Sequence, residues 1–339
     1  MYQPRAILPC PSCFAIWHHM TELLAADGSG IARAAALLRA GDLVAFGTET
    51  VYGLGADATN AGAVATVFAA KERPRFNPLI CHYPDQDAAF ADVVPNEVAH
   101  RLAASLWPGP LTLVLPRRPQ SRVALLTAAG LDSLAVRVPS HPVASALLRA
   151  VARPVAAPSA NLSGAVSPTT AQHVLDDLAG RIAAVLDSGV CPVGVESTVL
   201  DLTGDDPVLL RPGGTTLEAI EAEIGRVVQR ASTSGVLRSP GMIASHYAPS
   251  LPVRLDAVSV SLDEALLAFG APIAGAGATF NLSPSRDPIE AAARLFIGLR
   301  VLDATGPTHG CKRIAVMPVP FAGLGHAIND RLRRAATPR

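Results

Sequence analysis

The chain has 339 residues, half of them apolar, and its 28 basic and 28 acidic residues give a formal charge of zero. A chain of this length can bury a sizeable core in two domains, and this composition does not fit a chain that is disordered as a whole. Because the net charge is zero, the protein as a whole does not attract nucleic acid electrostatically, and any anion site must be built by a local group of residues. No apolar run reaches the roughly 18 to 20 residues that a spanning helix needs, so we expect a soluble protein without membrane contact.

The five cysteines predict a reducing compartment, and hence the cytoplasm, because Cys81, Cys191 and Cys311 are too scattered for a disulfide framework. Cys10 and Cys13 precede two histidines and could suggest a zinc site. A second ligand pair at a workable distance is missing, so we predict no protein-bound metal.

Residues 1–25 contain three early prolines and neither periodicity nor a secretory apolar stretch, so we predict a disordered extension. Helix and strand patterns alternate from residue 31 onward, which predicts an α/β domain over residues 26–231 with a mainly buried sheet. Its helices are predicted at 31–39, 61–70, 96–106, 142–151 and 171–178. Its strands are predicted at 43–46, 79–82, 111–115, 134–138, 155–157, 182–186 and 198–202.

Residues 232–252 are rich in Ser, Gly and Pro, which predicts an interdomain linker. Residues 253–339 again alternate between strand and helix patterns and predict a smaller three-layer α/β domain. Its strands are predicted at 253–255, 278–281 and 313–317. Its helices are predicted at 262–269, at 288–303 and at the C-terminus.

The first candidate ligand segment is 48–55, Thr-Glu-Thr-Val-Tyr-Gly-Leu-Gly. It follows a predicted strand and leads to a helix, which is where α/β sheets place ligand groups. Its hydroxyls and glycines suit close approach of the backbone to a ligand. Taken alone, however, Gly-x-Gly after a strand is better explained as a tight turn.

Three cations follow within five residues, at Lys71, Arg73 and Arg75. Arginine offers a planar fork and lysine a compact charge, so together they can hold a polyphosphate. A solvated basic loop is the alternative. Two nearby prolines, Asn77 and the strand-end His82 favour a stiff, shaped site.

Arg137 lies within an otherwise apolar strand, and a buried charge requires a partner. That partner is either an acidic side chain in a structural ion pair or the carboxylate of a ligand. Further polar groups occur at strand ends, in segments 157–164, 167–169, 196–198 and 211–213, and in the linker at 239–249. Capping of a helix explains Ser167 or Thr169 but not the whole cluster.

Several familiar signatures are absent from the sequence. It contains no Walker phosphate loop, no dinucleotide fingerprint after a strand, no His-Glu-x-x-His and no Gly-x-Ser-x-Gly elbow. ATP would therefore bind by an unusual route.

In their joint order, these motifs resemble the Sua5/YrdC/YciO family, specifically the two-domain Sua5 type of threonylcarbamoyl-AMP synthase. The resemblance runs from about residue 30 to the C-terminus and rests on segments 48–55, 71–79, 159–169, 196–202, 210–213, 239–249 and 323–332. It implies a YrdC-like twisted mixed sheet with flanking helices around a concave cavity, followed by a smaller three-layer α/β Sua5 domain.

The resemblance also implies an activity. Such nucleotidyltransferases combine L-threonine, bicarbonate and ATP, with Mg²⁺, into threonylcarbamoyl-adenylate and pyrophosphate. Partner transferases then modify adenosine 37 of tRNA.

Site residues carry over from the family by motif. The threonine pocket would comprise Thr50, His82, Arg137, Ala157 and Ser197. The ATP contacts would be Arg73, Asn77, Ser133, Ser159, Ser167, Arg211 and Tyr247. The catalytic group beside the phosphates and carbamate would be Lys71, Arg73 and Asn161. Ser133 stands where threonine is expected and keeps the hydroxyl. Tyr247 as a contact implies that the linker folds back over the cavity as a lid.

Two other functions compete with this one. A noncatalytic RNA-binding module of the YrdC type would make weak RNA contacts, but the neutral charge and the lack of aromatic stacking motifs count against it. Carbamoyl transfer from carbamoyl phosphate would need zinc-finger and acylphosphatase modules upstream, which some twenty residues cannot supply.

Overall fold

A computed structural model of the chain describes residues 20–74, 76–230 and 246–337. Within these ranges the first part of the chain builds an eleven-stranded mixed sheet in the order β1-β8-β2-β3-β7-β4-β6-β5-β9-β10-β11. Its strands are β1 Glu22–Ala25, β2 Val44–Gly47, β3 Tyr52–Asp57, β4 Ile80–His82, β5 Leu111–Pro116, β6 Ser133–Arg137, β7 Val155–Ala156, β8 Ala184–Asp187, β9 Thr198–Asp201, β10 Val208–Arg211 and β11 Gln229–Arg230.

Helices flank this sheet and bury its apolar faces in two large clusters. They are α1 Gly28–Ala40, α2 Ala61–Lys71, α3 Gln86–Phe90, α4 Glu97–Leu106, α5 Pro142–Val151, α6 Ala171–Leu178 and α7 Leu217–Ile224. Side-chain caps start most of them. Asn60, for example, accepts hydrogen bonds from the Gly62 and Ala63 amides at the start of α2.

The second part of the chain forms a four-stranded parallel sheet in the order β12-β15-β13-β14. Its strands are β12 Val253–Arg254, β13 Glu264–Ala268, β14 Ala278–Asn281 and β15 Arg313–Val316, and its helices are α8 Pro288–Thr305 and α9 Gly325–Ala336. Both helices contribute to a second core that also contains Val51, Val166 and Val195 from the first part of the chain. The two parts therefore share apolar packing.

The predicted helix at 262–269 is wrong, because this stretch contains strand β13, which lies between β14 and β15. All five residues of β13 are buried. A short Ala/Leu run has helical propensity, but burial on both faces of a parallel sheet overrides it.

Two further segments differ from expectation. Part of the predicted disordered extension is ordered, since Glu22–Ala25 pairs in parallel with β8 at the edge of the large sheet. The second half of segment 48–55 is strand β3 rather than loop. A Cβ atom at Gly55 would lie 2.9 Å from Phe46 Cε1, so this glycine permits close strand packing rather than approach of a ligand.

Cys10, Cys13, Arg75 and linker residues 231–245 lie outside the described residues. In the part that the structure describes, Cys81, Cys191 and Cys311 are buried and free. None of the described helices is both long enough and apolar enough to cross a bilayer.

Candidate active site

A cavity opens where several strands of the large sheet end, and it holds about 460 Å³ of unfilled space including its mouth. His82 and Arg137 are the last residues of β4 and β6 and pair in register, so they stand side by side. The cavity is lined by Thr50, Val51, Arg73, Ile80, His82, Arg137, Ala157, Pro158, Ser159, Glu196, Ser197, Arg211, His246 and Tyr247.

Arg137 is held by a buried acidic partner. Its Nη2 atom lies 2.5 Å from Glu49 Oε1, Nη1 donates to Thr50 Oγ1 at 3.0 Å, and Nε donates to the Gly109 carbonyl at 3.3 Å. The other Glu49 oxygen accepts from the Ser140 amide. The guanidinium is thus fixed in an ion pair and still faces the cavity.

His82 is neutral at physiological pH. Burial, reinforced by the nearby Arg137 cation, lowers its pKa from 6.5 to about 3. Its Nδ1 atom lies 3.2 Å from the Ile80 carbonyl oxygen, which orients the ring. The imidazole can therefore exchange hydrogen bonds with a ligand without adding charge.

Arg73 brings a cation without a carboxylate partner to the cavity. Its Nη2 atom donates to the carbonyls of Asn77 and Pro78, and no acidic group among the described residues lies within ion-pair distance. Burial lowers its pKa to about 10, so the group stays charged at neutral pH. A buried cation held only by carbonyls is suited to an anionic ligand.

Lys71 lies behind the wall of the cavity. Its buried Nζ atom donates to the main-chain carbonyls of Ser159, at 2.5 Å, and Asn161, and burial beside the Arg73 cation holds the pKa of Lys71 well below its usual value. Glu72 adopts a left-handed backbone with φ of 53°, which ends α2 and turns the chain between Lys71 and Arg73. The lysine thereby holds the loop that presents Ser159.

The buried side chains of Asn161 and Asn77, near Lys71 and Arg73, each have an amide oxygen without a hydrogen-bond partner among the described residues. Asn161 donates through Nδ2 to the carbonyls of Leu162 and Ala165, whereas its Oδ1 has no partner among the described residues. Asn77 Oδ1 is likewise unpaired within the described chain. Neither side chain lines the cavity, so any contact with a ligand requires a local adjustment.

Ser197 and Arg211 form one side of the cavity. Arg211 donates through Nη2 to the Ser197 carbonyl at 2.8 Å and to Ser197 Oγ at 3.2 Å. Thr112 Oγ1 lies 2.8 Å from the same Oγ. The hydroxyl that precedes β9 is thus fixed by β5 and β10.

Glu196 connects the cavity to the second domain. Its Oε1 atom accepts from Ser167 Oγ at 2.5 Å and its Oε2 from Arg331 Nε at 2.8 Å. Burial alone would raise the pKa of Glu196, but the cations of Arg331 and Arg211 outweigh this effect and hold it at about 2. Ser167 itself is buried and does not line the cavity.

Tyr247 lies near the end of the predicted linker and closes another side of the cavity. It is 1% exposed, stacks on Phe296 with ring centroids 5.6 Å apart, and lies 5.3 Å below the Arg331 guanidinium carbon. The adjacent Ala248 amide donates to the Gly164 carbonyl. This end of the predicted linker is therefore packed against the cavity.

Ser133, which was predicted to contact ATP, lies far along strand β6 from the other predicted site residues. It begins β6, four residues before Arg137 on the same face of the sheet. That spacing corresponds to about 13 Å. It is half-buried and does not line the cavity.

Sequence reasoning left out Glu49, Glu196, His246 and Arg331 as site residues. Each lies inside a motif that carried the family resemblance, and Glu49, Glu196 and His246 stand next to a residue that was selected. The available signal was charge within an apolar or hydroxyl-rich segment, since a buried carboxylate requires a cation. No cluster of three or more potential metal ligands occurs within residues 20–74, 76–230 and 246–337.

Comparison with known proteins agrees with this architecture. Residues 36–213 match the Sua5/YciO/YrdC family model, described as telomere recombination, and residues 215–337 match the model for the C-terminal domain of threonylcarbamoyl-AMP synthase. The threonylcarbamoyl-AMP synthase of Pyrococcus abyssi is 43% identical over 89% of this chain and 93% of its own length. That of Bacillus subtilis is 50% identical over 70% of this chain and 69% of its own length.

Solved structures give the same result. The crystal structure of P. abyssi Sua5 complexed with L-threonine superposes with a TM-score of 0.85 at 38% identity, covering 93% of this chain and 98% of that one. Escherichia coli YciO, at 24% identity and a TM-score of 0.53 over 57% of this chain and 96% of its own, shares the fold of the first domain. The chain belongs to the Sua5/YrdC/YciO family, in its two-domain form with a Sua5 C-terminal domain.

Proposed function

We propose that this protein is an L-threonylcarbamoyladenylate synthase, which uses L-threonine, bicarbonate and ATP and releases pyrophosphate. One observation carries the proposal: three buried arginines, Arg73, Arg137 and Arg211, converge on one cavity with several hydroxyl groups. The family membership and the names of the relatives point the same way.

The arrangement suits binding of two anionic substrates side by side. Arg137, Thr50, His82, Ala157 and Ser197 would hold threonine, with Arg137 on its carboxylate. Arg73, Ser159 and Arg211 would face ATP, together with Asn77, Ser133, Ser167 and Tyr247. Because Arg137 already has Glu49 as a counter-ion, its position is set before threonine arrives.

The proposed chemistry places few covalent demands on the protein. The amine of threonine and bicarbonate form a carbamate with loss of water, a carbamate oxygen attacks the α-phosphorus of ATP, and the bond to pyrophosphate breaks. Such a displacement depends on positioning and on neutralising charge. Arg73 would supply charge beside the phosphates, and Asn161 its unpaired amide oxygen. Lys71 would hold the loop that carries Ser159 and Asn161 through its two carbonyl contacts.

Mg²⁺ would enter with ATP. It binds mostly through phosphate oxygens, water and one or two carboxylates. Among the described lining residues Glu196 is the carboxylate, and Ser167 and Arg331 already occupy its oxygens. The residues present fit an ion held chiefly by the nucleotide.

The remaining expectations follow from this activity. We propose that the enzyme acts in the cytoplasm, that residues 26–231 form the catalytic domain and 253–339 the Sua5 domain, and that partner transferases deliver the product to adenosine 37 of tRNA. Its arginine charges at the cavity are buried rather than arranged as a surface stripe, which does not favour a noncatalytic RNA-binding module.

The test is pyrophosphate release from ATP and bicarbonate with threonine present, omitted or replaced by serine. We expect release that depends on threonine. Arg73→Met should abolish it, whereas Arg181→Met, which removes an exposed arginine paired with Glu72, should leave it intact. Release without threonine would refute the specificity, and nucleotide-free RNA binding without release would favour the binding module.

A further inference from the structure

Arg331 is a buried cation in the second domain. Stability alone does not explain why an arginine occupies this position. It lies on α9, is 0% exposed, and is the largest fully buried side chain in the described part of the protein. Its Nη2 atom has no partner among the described residues. Burying a guanidinium is costly even when it is paired, and an apolar side chain of similar size often stabilises a protein as well or better.

Arg331 contacts two residues that line the cavity, Glu196 and Tyr247, and one that directly follows a lining residue, Pro212. Nε donates to Glu196 Oε2 at 2.8 Å, Nη1 donates to the Pro212 carbonyl at 2.7 Å, and the guanidinium lies over the Tyr247 ring. Nη1 also contacts the neighbouring Asp330 at 2.8 Å. Arg331 itself does not line the cavity.

Each of these partners adjoins a group that the proposed function assigns to ATP. Glu196 accepts a hydrogen bond from the Ser167 hydroxyl, Pro212 directly follows Arg211, and Tyr247 is itself proposed to contact ATP. On the threonine side, Arg137 is held by other residues, Glu49 and Gly109, whereas Ser197 directly follows Glu196 and accepts from Arg211.

We propose that Arg331 is a positioning residue through which the second domain shapes the ATP side of the cavity. This inference rests on the proposed function. It means that the second domain contributes to ATP affinity without touching the nucleotide.

The test compares full-length variants by calorimetric titration with ATP and by KM values for ATP and threonine. We expect Arg331→Met to raise the Kd and KM for ATP about tenfold, which corresponds to about 1.4 kcal/mol. The KM for threonine should change less than the Kd for ATP, since Arg137 at the threonine carboxylate shares no partner with Arg331. Arg331→Lys should recover part of the loss because it keeps the charge beside Glu196 but lacks the fork.

Arg254→Met is the matched control. Arg254 lies in the second domain and donates to both oxygens of Glu264 at 2.8 Å, and neither residue lines the cavity or adjoins a residue that does. It should lower the melting temperature and leave the Kd for ATP unchanged. An equal loss of ATP affinity in both variants would overturn the inference in favour of a general destabilisation of the second domain.

A second readout covers the case in which Arg331→Met does not fold. Glu196→Gln keeps the shape of the side chain and weakens the same contact, so it should also raise the Kd for ATP selectively. Where both variants fold, the double variant should bind ATP no more weakly than Arg331→Met. Folded variants with wild-type ATP affinity would refute the inference.

The proposed synthase function can be refuted independently of the proposed role of Arg331. A wild-type chain that binds ATP but releases no pyrophosphate refutes the synthase activity, and the ATP titrations still decide the role of Arg331. A wild-type chain that binds no ATP refutes both.

Discussion

The guanidinium of Arg137 combines two roles that the sequence presented as alternatives. It is a buried ion-pair partner of Glu49 and also lines the cavity. The two roles are compatible because an arginine has five N–H donors in a fork, and Glu49, Thr50 and Gly109 leave donors available for a ligand carboxylate.

Arg137→Lys should therefore be damaging despite retaining the charge. A lysine lacks the planar fork that contacts Glu49, Thr50 and Gly109 together. We expect the KM for threonine to rise about tenfold or more, equivalent to at least about 1.4 kcal/mol, with a smaller change in the KM for ATP. Arg153→Lys, at a partly exposed arginine paired with Asp57, should change neither. Equal effects on both substrates would contradict a role at the threonine carboxylate.

Buried histidines predict how stability depends on pH. Burial lowers the pKa of His82 and of His246 from 6.5 to about 3. Between pH 6.5 and 3 the unfolded chain therefore binds protons that the folded chain does not, so stability is full above pH 6.5 and falls as the pH drops.

Denaturant unfolding at pH 7, 6 and 5 measures this effect. Each such histidine contributes a slope of at most about 1.4 kcal/mol per pH unit. Because His82→Asn removes one titrating group, its slope should be shallower than that of the wild type by up to this amount. Identical slopes in the two proteins would show that His82 is not buried in its neutral form.

At the scale of elements, strand β13 shows where local pattern and tertiary context disagree. The stretch Glu-Ala-Leu-Leu-Ala has the composition of a helix, and its five residues are too few for periodicity to distinguish the two. Pairing with β14 on one side and β15 on the other places every residue in a buried position. Longer elements such as α8, whose pattern spans several turns, were predicted correctly.

Leu267→Ala tests the position of β13. Leu267 is 0% exposed and would leave a cavity against α8, so the free energy of unfolding should fall by about 2–5 kcal/mol. Leu262 lies just outside the strand and is 76% exposed, so Leu262→Ala should change the free energy of unfolding by no more than about 0.5 kcal/mol. Equal changes in the two variants would contradict the burial of Leu267 in the core of the second domain.

At the scale of the whole molecule, the two domains are joined by a common core and by buried charge. Val51, Val166 and Val195 pack with Phe296 and the other apolar residues of the second domain. The ion pairs Glu196–Arg331 and Asp177–Arg300 span the same interface. Separation of the domains would expose this apolar surface and leave Glu196 without its cation.

We therefore expect the full chain to unfold in one cooperative transition. Scanning calorimetry should give a van't Hoff enthalpy close to the calorimetric enthalpy. The Leu267→Ala substitution, although confined to the second domain, should shift the whole transition to lower temperature. Two resolved transitions, with only one shifted by the substitution, would contradict this coupling.

The sequence by itself determined the α/β class, most helices and strands, the ordered series of motifs and the arginines that meet at the cavity. These features are local, because they depend on periodicity, capping and residue type over a few turns. Only the tertiary structure decided that β13 is a strand, that Glu49 holds Arg137 and that Arg331 reaches Glu196. The two ion pairs join residues 88 and 135 positions apart, and no local pattern specifies contacts over such separations.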